Sequence, residues 1–160
     1  MRRKFKRAGA GGFWQTIDEQ PDTSVIQQTT PLSCVSATGA MLLQNRGFVV
    51  TEAEILARVG EAATVSGLAR MMNEIELPGK GWQWHGLFLE VSSFAAITAS
   101  GVWGAVLREG SPLGHLVMIA GFDEPGLVKI KDPWDATSYK MELPEFLRVW
   151  GGELIFRWKF

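Results

Sequence analysis

Cysteine and histidine are scarce in this chain: Cys34 is the single cysteine among 160 residues, and the two histidines are His85 and His115. One cysteine excludes an internal disulfide and any metal site built from a cysteine cluster. The two histidines are 30 positions apart, so a histidine-based zinc site could arise only through folding. We therefore expect no metal and no organic cofactor.

Excess charge and long apolar runs are also missing. The 16 Lys and Arg residues nearly balance the 17 Asp and Glu residues, so no strong field would recruit nucleic acid or an anionic membrane. No apolar stretch approaches the roughly 20 residues that a membrane span requires. With 46% hydrophobic residues, the chain is long enough to form one domain with a sizeable core.

The first 20 residues are basic and rich in glycine. A basic cluster over Met1 to Arg7 is followed by Ala8-Gly9-Ala10-Gly11-Gly12. Arg2-Arg3 is similar to the start of a twin-arginine export signal, but the apolar run such a signal needs is missing. The composition predicts a flexible tail over 1–20, followed by one domain over 21–160.

Within that domain, helical patterns precede extended ones, and the change falls near Gly79. Ser33 is placed to cap the first helix, and Thr51 with Glu54 forms a capping box for the second. Helices are predicted at 33–45, 51–60, 68–75, 92–99 and 144–150, and strands at 102–108, 116–122, 127–131, 139–143 and 154–159. This order predicts an α+β fold, with helices packed on a C-terminal antiparallel sheet.

Three residues stand where nucleophilic chemistry would need them. Cys34 lies at the predicted start of the first helix, His115 opens an apolar strand, and Asp132 ends the next strand. Each of them alone is commonly structural. Together and in this order, a thiol, an imidazole and an acid favour a cysteine hydrolase.

The position of Cys34 at a helix start matters for two reasons. The helix N-terminus and an imidazolium partner can lower the pKa of the thiol, and free amides there can hold the oxyanion of a tetrahedral intermediate. Gln28, six positions earlier at the end of an extended segment, could donate a second hydrogen bond to that oxygen.

Other polar residues offer weaker alternatives. Asp123 follows His115 closely and belongs to a predicted hairpin turn, while Asp135 falls after the turn that Asp132 begins. His85 lies in the aromatic cluster Trp82-Gln83-Trp84-His85-Gly86, where ring packing is the more frequent explanation.

These residues together resemble the papain-like cysteine peptidases. The resemblance rests on Gln28 followed at six residues by Cys34, then a helix, a late His115 on an apolar strand and Asp132 in an Asp-Pro turn, and it covers about residues 24–158. It implies a papain-like fold in which Cys34 is the nucleophile, His115 the base, Asp132 the residue that orients the imidazole and Gln28 the oxyanion donor.

Two bacterial branches of that family are the most similar. One contains the bacteriocin-processing peptidases, which cut leader peptides after a double glycine, and the other the papain-fold domains of polymorphic toxins and secreted effectors. The first branch usually has glycine directly after the cysteine, where this chain has Val35-Ser36. The transporter domains that normally accompany leader peptidases are also absent from this chain, so a freestanding peptidase or effector is favoured.

The resemblance implies a protein or peptide substrate, cleaved through a thioester. A toxin or effector would act in the cytoplasm or be delivered into a target cell, where an immunity or inhibitor protein could oppose it. Two alternatives stay open: a glutamine deamidase or transglutaminase-like toxin that uses the same triad, and a catalytically silent peptidase-like binding module.

Overall fold

The structure, a computed structural model, describes residues 2–7, 13–110, 112–123 and 126–160. Over these residues the chain forms one antiparallel sheet with the order β1-β2-β7-β6-β5-β4-β8-β3 and helices on both faces. The strands are β1 (Arg3–Arg7), β2 (Phe13–Pro21), β3 (Trp82–Phe88), β4 (Trp103–Leu107), β5 (His115–Asp123), β6 (Leu127–Asp132), β7 (Thr137–Glu142) and β8 (Trp150–Lys159). The helices are α1 (Cys34–Asn45), α2 (Glu52–Val59), α3 (Val65–Ile75), α4 (Phe94–Ala99) and α5 (Leu143–Val149).

Helix α1 is the buried centre of one face. Every residue from Cys34 to Leu43 is buried, as expected of a helix that is apolar on all sides. The helix ends in a Schellman motif, in which the N–H of Gly47 donates to Gln44 and that of Phe48 to Leu43. Gly47 has φ of 90°, a conformation that favours glycine. The chain thereby turns away at the C-terminal end of α1, and Cys34 lies at its N-terminal end.

Two capped helices pack beside α1. The Thr51 hydroxyl accepts a hydrogen bond from the N–H of Glu54 at the start of α2, which confirms the predicted cap. Thr64 accepts from Gly67 in the same way at the start of α3. The backbone of Val65 lies so close to β3 that a Cβ on Gly86 would stand 2.1 Å from the Val65 oxygen. Helix α3 is therefore held against the end strand of the sheet.

Alternation along the strands separates two apolar cores. On β5, Leu116 and Met118 face the α1–α3 layer, whereas Val117 and Ile119 face a second core that contains residues of α4 and α5. His115 lies two and four positions before Val117 and Ile119, so its side chain is on the same face of the sheet as theirs. Both faces of the sheet are therefore covered, and His115 ends a row of side chains in the second core.

The predicted α+β class is confirmed, with Cys34 at a helix start and helices packed on an antiparallel sheet. The five predicted helices and five predicted strands all occur, within a few residues of their expected bounds. None of the described helices is long and apolar enough to cross a membrane.

The N-terminal region differs from the expected flexible tail. Strands β1 and β2 pair from Arg3↔Ile17 to Arg7↔Phe13, and β2 continues the sheet next to β7. Basic residues are compatible with an edge strand such as β1. On β2, Trp14 is fully buried in the second core and Ile17 is 1% exposed. The glycine-rich segment 8–12 lies outside the described residues. Strand β3 was likewise not predicted, because its aromatic residues suggested packing rather than an element.

Candidate active site

Cys34 and His115 come from different layers and meet at one end of the sheet. Cys34 is the first residue of α1, and its sulfur accepts a hydrogen bond from the N–H of Leu116 at 3.5 Å. The side chains of Cys34 and His115 are near enough for each to shift the pKa of the other. Both are almost fully buried, with 8% and 1% of their surfaces exposed. The predicted thiol and imidazole are thus in contact.

Asp132 lies on the other side of the imidazole. Its Oδ1 atom is 2.7 Å from Nε2 of His115 and accepts a hydrogen bond from the N–H of Trp134 at 2.9 Å. Its Oδ2 atom accepts from the hydroxyl of Tyr139 at 2.7 Å. Asp132 is fully buried, and an anion there is tolerated because donors surround it. The structure therefore places Cys34, His115 and Asp132 in one row, with the imidazole between the thiol and the carboxylate.

The environment of Cys34 favours its thiolate. Burial raises the pKa of the thiol, but the hydrogen bond and positive charge of His115 and the N–H of Leu116 outweigh burial, so the pKa of Cys34 lies below its ordinary value. A larger share of this thiol is therefore ionised near neutral pH than for a free cysteine.

His115 is shifted in the complementary direction. Burial lowers the pKa of the imidazole, but the charge and hydrogen bond of Asp132, followed by those of Cys34, raise it to about 10. Because an ionised Asp132 can only accept, Nε2 of His115 must carry a proton, and the other ring nitrogen is left to exchange a proton with Cys34. The arrangement supports a thiolate–imidazolium pair.

The start of α1 provides donors for a developing negative charge. Ser33 occupies the N-cap position, as predicted, but its hydroxyl donates to the carbonyl of Thr30 and accepts from the Thr30 N–H instead of capping the helix. The first amides of α1 are thus not engaged by the Ser33 side chain. Amides of this kind suit an oxyanion beside Cys34.

Gln28 is buried, with 8% of its surface exposed, and its N–H donates to the carbonyl of Pro133, directly after Asp132. One side-chain N–H of Gln28 donates to the carbonyl of Thr30 at 2.9 Å, while Oε1 has no hydrogen-bond partner among the described residues. Gln28 therefore lies in the loop beside Pro133, and the second hydrogen on its Nε2 atom is not used by the bond to Thr30.

A cleft of about 180 Å³ opens over Cys34 and His115. Its walls are mostly apolar, and Leu32 and Leu113 remain 40% and 53% exposed at its rim. The side chains of Arg108 and Glu153 form an ion pair at 2.5 Å in the same cleft. A peptide segment could therefore reach the thiol from this side.

The alternative polar residues lie elsewhere. Asp123 ends β5 in an ion pair with Lys129 at 3.0 Å, and Asp135 occupies the turn between β6 and β7. His85 lies on β3 with its ring 4.7 Å from that of Phe160, in agreement with the packing role expected for it. Among the described residues, no group of three His, Cys, Asp or Glu side chains is arranged to hold a metal ion.

Three aromatic residues that the sequence does not assign to the site lie around His115 and Asp132. The ring of Trp14 stacks on His115 with centroids 6.2 Å apart, and Trp134 meets the same imidazole edge-on at 6.5 Å. Tyr139 donates to Asp132 from the middle of β7. Alternating burial along β7 indicates that Tyr139 faces inward, but nothing in the sequence indicates its partner.

A buried thiol at a helix start, beside an imidazole that is bonded to a carboxylate at a strand end, is the arrangement that the resemblance to the papain-like cysteine peptidases implies. Residues 17–149 match the family described as papain-like cysteine protease AvrRpt2, and the chain belongs to that family. The resemblance predicted from Cys34, His115, Asp132 and Gln28 is confirmed at this level.

One curated relative is cysteine protease effector 1 of Escherichia coli O1:K1:H7, which is 37% identical over 150 residues. The match covers 93% of this chain but only 30% of that protein. The chain therefore spans less than a third of the length of its relative.

Solved peptidase domains share the fold. The peptidase domain of Streptococcus ComA, a bifunctional ABC transporter, has a TM-score of 0.70 at 16% identity, with 84% of this chain and 97% of that domain covered. A double glycine motif protease from an AMS/PCAT transporter, solved with its leader peptide, has a TM-score of 0.66 at 18% identity, with 91% and 98% covered.

Proposed function

We propose that this chain cleaves peptide bonds through a thioester, with Cys34 as nucleophile, His115 as acid and base, and Asp132 as the residue that orients the imidazole. The observation that carries the proposal is the buried row of Cys34, His115 and Asp132, in which His115 is hydrogen-bonded to Asp132 and electrostatically coupled to Cys34, with a cleft at the thiol end. Membership of the protease family supports the same chemistry.

The first step is attack of the Cys34 thiolate on the carbonyl carbon of the scissile bond. The carbonyl π bond opens, and the negative charge that develops on oxygen lies beside the first amides of α1. As the tetrahedral intermediate collapses, the C–N bond breaks, and His115 gives its proton to the leaving amine. The acyl group remains on sulfur as a thioester.

The second step returns the enzyme to its resting state. The neutral His115 accepts a proton from water while the oxygen of that water attacks the thioester carbon. The C–S bond then breaks, the carboxylic acid leaves, and the thiolate–imidazolium pair forms again. Asp132 keeps its hydrogen bond to Nε2 throughout, so that the opposite ring nitrogen always faces sulfur and substrate.

Gln28 is the proposed second donor to the oxyanion. Its buried side chain is anchored by the bond from Nε2 to Thr30, and the remaining hydrogen on Nε2 is available for the substrate oxygen. The hydrogen bond from the backbone N–H of Gln28 to the carbonyl of Pro133 supports this assignment, because it holds Gln28 against the loop that follows Asp132.

A protein substrate in a target cell is proposed from the relative named as a cysteine protease effector. The cleft favours an extended segment with an apolar side chain, since Leu32 and Leu113 stand exposed at its rim. Delivery into that cell is part of the same proposal.

Mass spectrometry of a host-cell lysate incubated with wild-type protein or with Cys34→Ala tests reaction type and substrate together. The proposal expects new peptide termini that appear with the wild type only. Ammonia release and Gln-to-Glu conversion without new termini would instead identify a deamidase. A wild type that changes nothing, and whose Cys34 is not labelled by a thiol-directed activity probe, would contradict catalysis.

A further inference from the structure

A series of hydrogen bonds runs from the paired strands β1 and β2, here called the N-terminal hairpin, to the carboxylate of Asp132. Nε1 of Trp14 on β2 donates to the hydroxyl of Tyr139 at 3.0 Å, and this hydroxyl donates to Oδ2 of Asp132 at 2.7 Å. Trp14 and Asp132 are fully buried, and Tyr139 is 3% exposed. Bulk water is thus excluded from both bonds.

The chemistry of the donors fixes the direction of this series of hydrogen bonds. An indole N–H can only donate, so the Tyr139 oxygen must accept from Trp14. The Tyr139 proton is then directed to Asp132, which accepts it as a carboxylate. Burial and the charge of Asp132 both raise the pKa of Tyr139 well above its ordinary value, so the hydroxyl keeps this proton over the whole working range.

Strand register brings these groups together. Tyr139 pairs with Ile130, and Asp132 pairs with Thr137, so Asp132 and Tyr139 lie diagonally across β6 and β7 on one face. Trp14 approaches from β2, which pairs with β7 on its other side. The same indole stacks on His115 at an interplanar angle of 23°. Trp14 therefore touches the imidazole directly and reaches its carboxylate partner through Tyr139.

We propose that Trp14 and Tyr139 are positioning residues of the His115–Asp132 pair, and that the N-terminal hairpin is therefore a working part of the catalytic site. This inference rests on the proposed function. Trp14 precedes residue 17, where the family match begins. Tyr139 holds Oδ2 of Asp132 so that Oδ1 stays in line with Nε2 of His115, and Trp14 fixes both the hydroxyl and the plane of the imidazole.

The first test is Tyr139→Phe, which removes one oxygen and keeps the ring. We expect kcat on a peptide substrate to fall about tenfold with KM nearly unchanged, because a donor to a buried anion is lost. In an Asp132→Ala background the same substitution should cause no further loss, since the carboxylate it acts through is gone. An equal loss of kcat in both backgrounds would overturn the positioning role.

The second test separates the indole N–H from the bulk of the ring. Trp14→Phe keeps an aromatic ring against His115 but removes the donor to Tyr139, and we expect kcat to fall roughly threefold. Trp103→Phe is the matched control, because Trp103 is also buried and donates to Thr98 at 3.2 Å away from the site. Equal kcat values in the two variants would overturn the role of Trp14.

Alkylation of Cys34 by iodoacetamide at pH 6 gives a readout that needs no substrate. Tyr139→Phe should slow it severalfold, because a misaligned His115 stabilises less thiolate. If the wild type reacts fast but cleaves nothing, the proposed peptidase function fails while the positioning role is still tested. If the wild type reacts fast and the variant reacts equally fast, the positioning role fails alone. Thermal melting identifies a variant that does not fold, and Trp14→Phe then carries the test.

Discussion

Asp132 and Glu76 are both buried carboxylates connected to a tryptophan, but they have different counter-charges. Glu76 is 7% exposed and accepts from Nε of Arg46 at 2.7 Å and from the indole of Trp84 at 2.9 Å, with Nε of Arg157 at 3.3 Å. Guanidinium groups stay charged at every pH at which the protein is folded. Two guanidinium groups therefore face Glu76, and its network connects the ends of α1 and α3 with β3 and β8.

Asp132 instead faces a cation whose charge depends on pH. Its ion pair is with His115, and it also accepts hydrogen bonds from the neutral hydroxyl of Tyr139 and the N–H of Trp134. The negative charge of Asp132 therefore acts on a group that can gain and lose a proton during a reaction. A buried carboxylate paired with arginines stabilises a fold, whereas one paired with a histidine can shift the pKa of that histidine for acid and base catalysis.

Substitutions of Cys34 and His115 should have the largest effects on peptide cleavage. Cys34→Ala should abolish peptide cleavage, and His115→Ala should nearly abolish it, because water replaces neither the nucleophile nor the proton carrier. Cleavage of a fluorogenic peptide, followed over several hours, measures both. Retained turnover in Cys34→Ala would mean that a contaminant or a different site cleaves the peptide.

Asp132→Ala should reduce kcat to a value between those of the wild type and His115→Ala. Without the carboxylate, burial lowers the pKa of His115 from about 10 toward or below its ordinary value. Because the reaction needs the imidazolium form of His115, kcat of Asp132→Ala should begin to fall at a lower alkaline pH than kcat of the wild type. Profiles of kcat against pH check this shift, and an alkaline limb that does not move would contradict the comparison with Glu76.

Gln28→Ala should lower kcat roughly 10²-fold, since loss of one oxyanion donor costs about 3 kcal/mol in the transition state. The thiol should remain as reactive toward iodoacetamide as in the wild type, because Gln28 does not bind the thiolate. Steady-state kinetics and alkylation, run on one preparation, give both values. Unchanged turnover would remove Gln28 from the site.

Glu76→Gln should have the smallest effect on turnover and a clear effect on stability. Loss of a charge between Arg46 and Arg157 should lower the free energy of unfolding by about 1–3 kcal/mol, measured by urea denaturation. The kcat of the folded enzyme should match that of the wild type. A large loss of kcat in a fully folded variant would show that the Glu76 network also affects the site.

The helical layer was predictable because its signals are local. The Thr51 cap, the end of α1 at Gly47 and the spacing of apolar residues on α3 are all visible within a few positions. Strands β4 to β8 were also predictable, since apolar runs alternate with turn residues. Candidate site residues followed because Cys34 and His115 have few competitors in this chain.

The N-terminal hairpin was not predictable because its pattern is irregular. Trp14 and Ile17 are buried but three positions apart, and Asp18 has φ of 53° where the pairing of β2 with β7 shifts register. Simple alternation is therefore broken, and the basic residues of β1 suggested a solvated tail. Likewise, Tyr139 could be recognised as inward-facing, but its bond to Asp132 depends on register between strands.

Alkylation of Cys34 as a function of pH, in the wild type and in His115→Ala, tests the thiolate–imidazolium pair most directly. We expect the wild-type thiol to react faster with iodoacetamide at pH 6 than a model thiol does, because the pKa of Cys34 is lowered. In His115→Ala the rate at pH 6 should fall, and reactivity should appear only as the pH approaches that of an ordinary or buried thiol. Equal rates in the two proteins across this range would contradict the ion pair and, with it, the catalytic assignment.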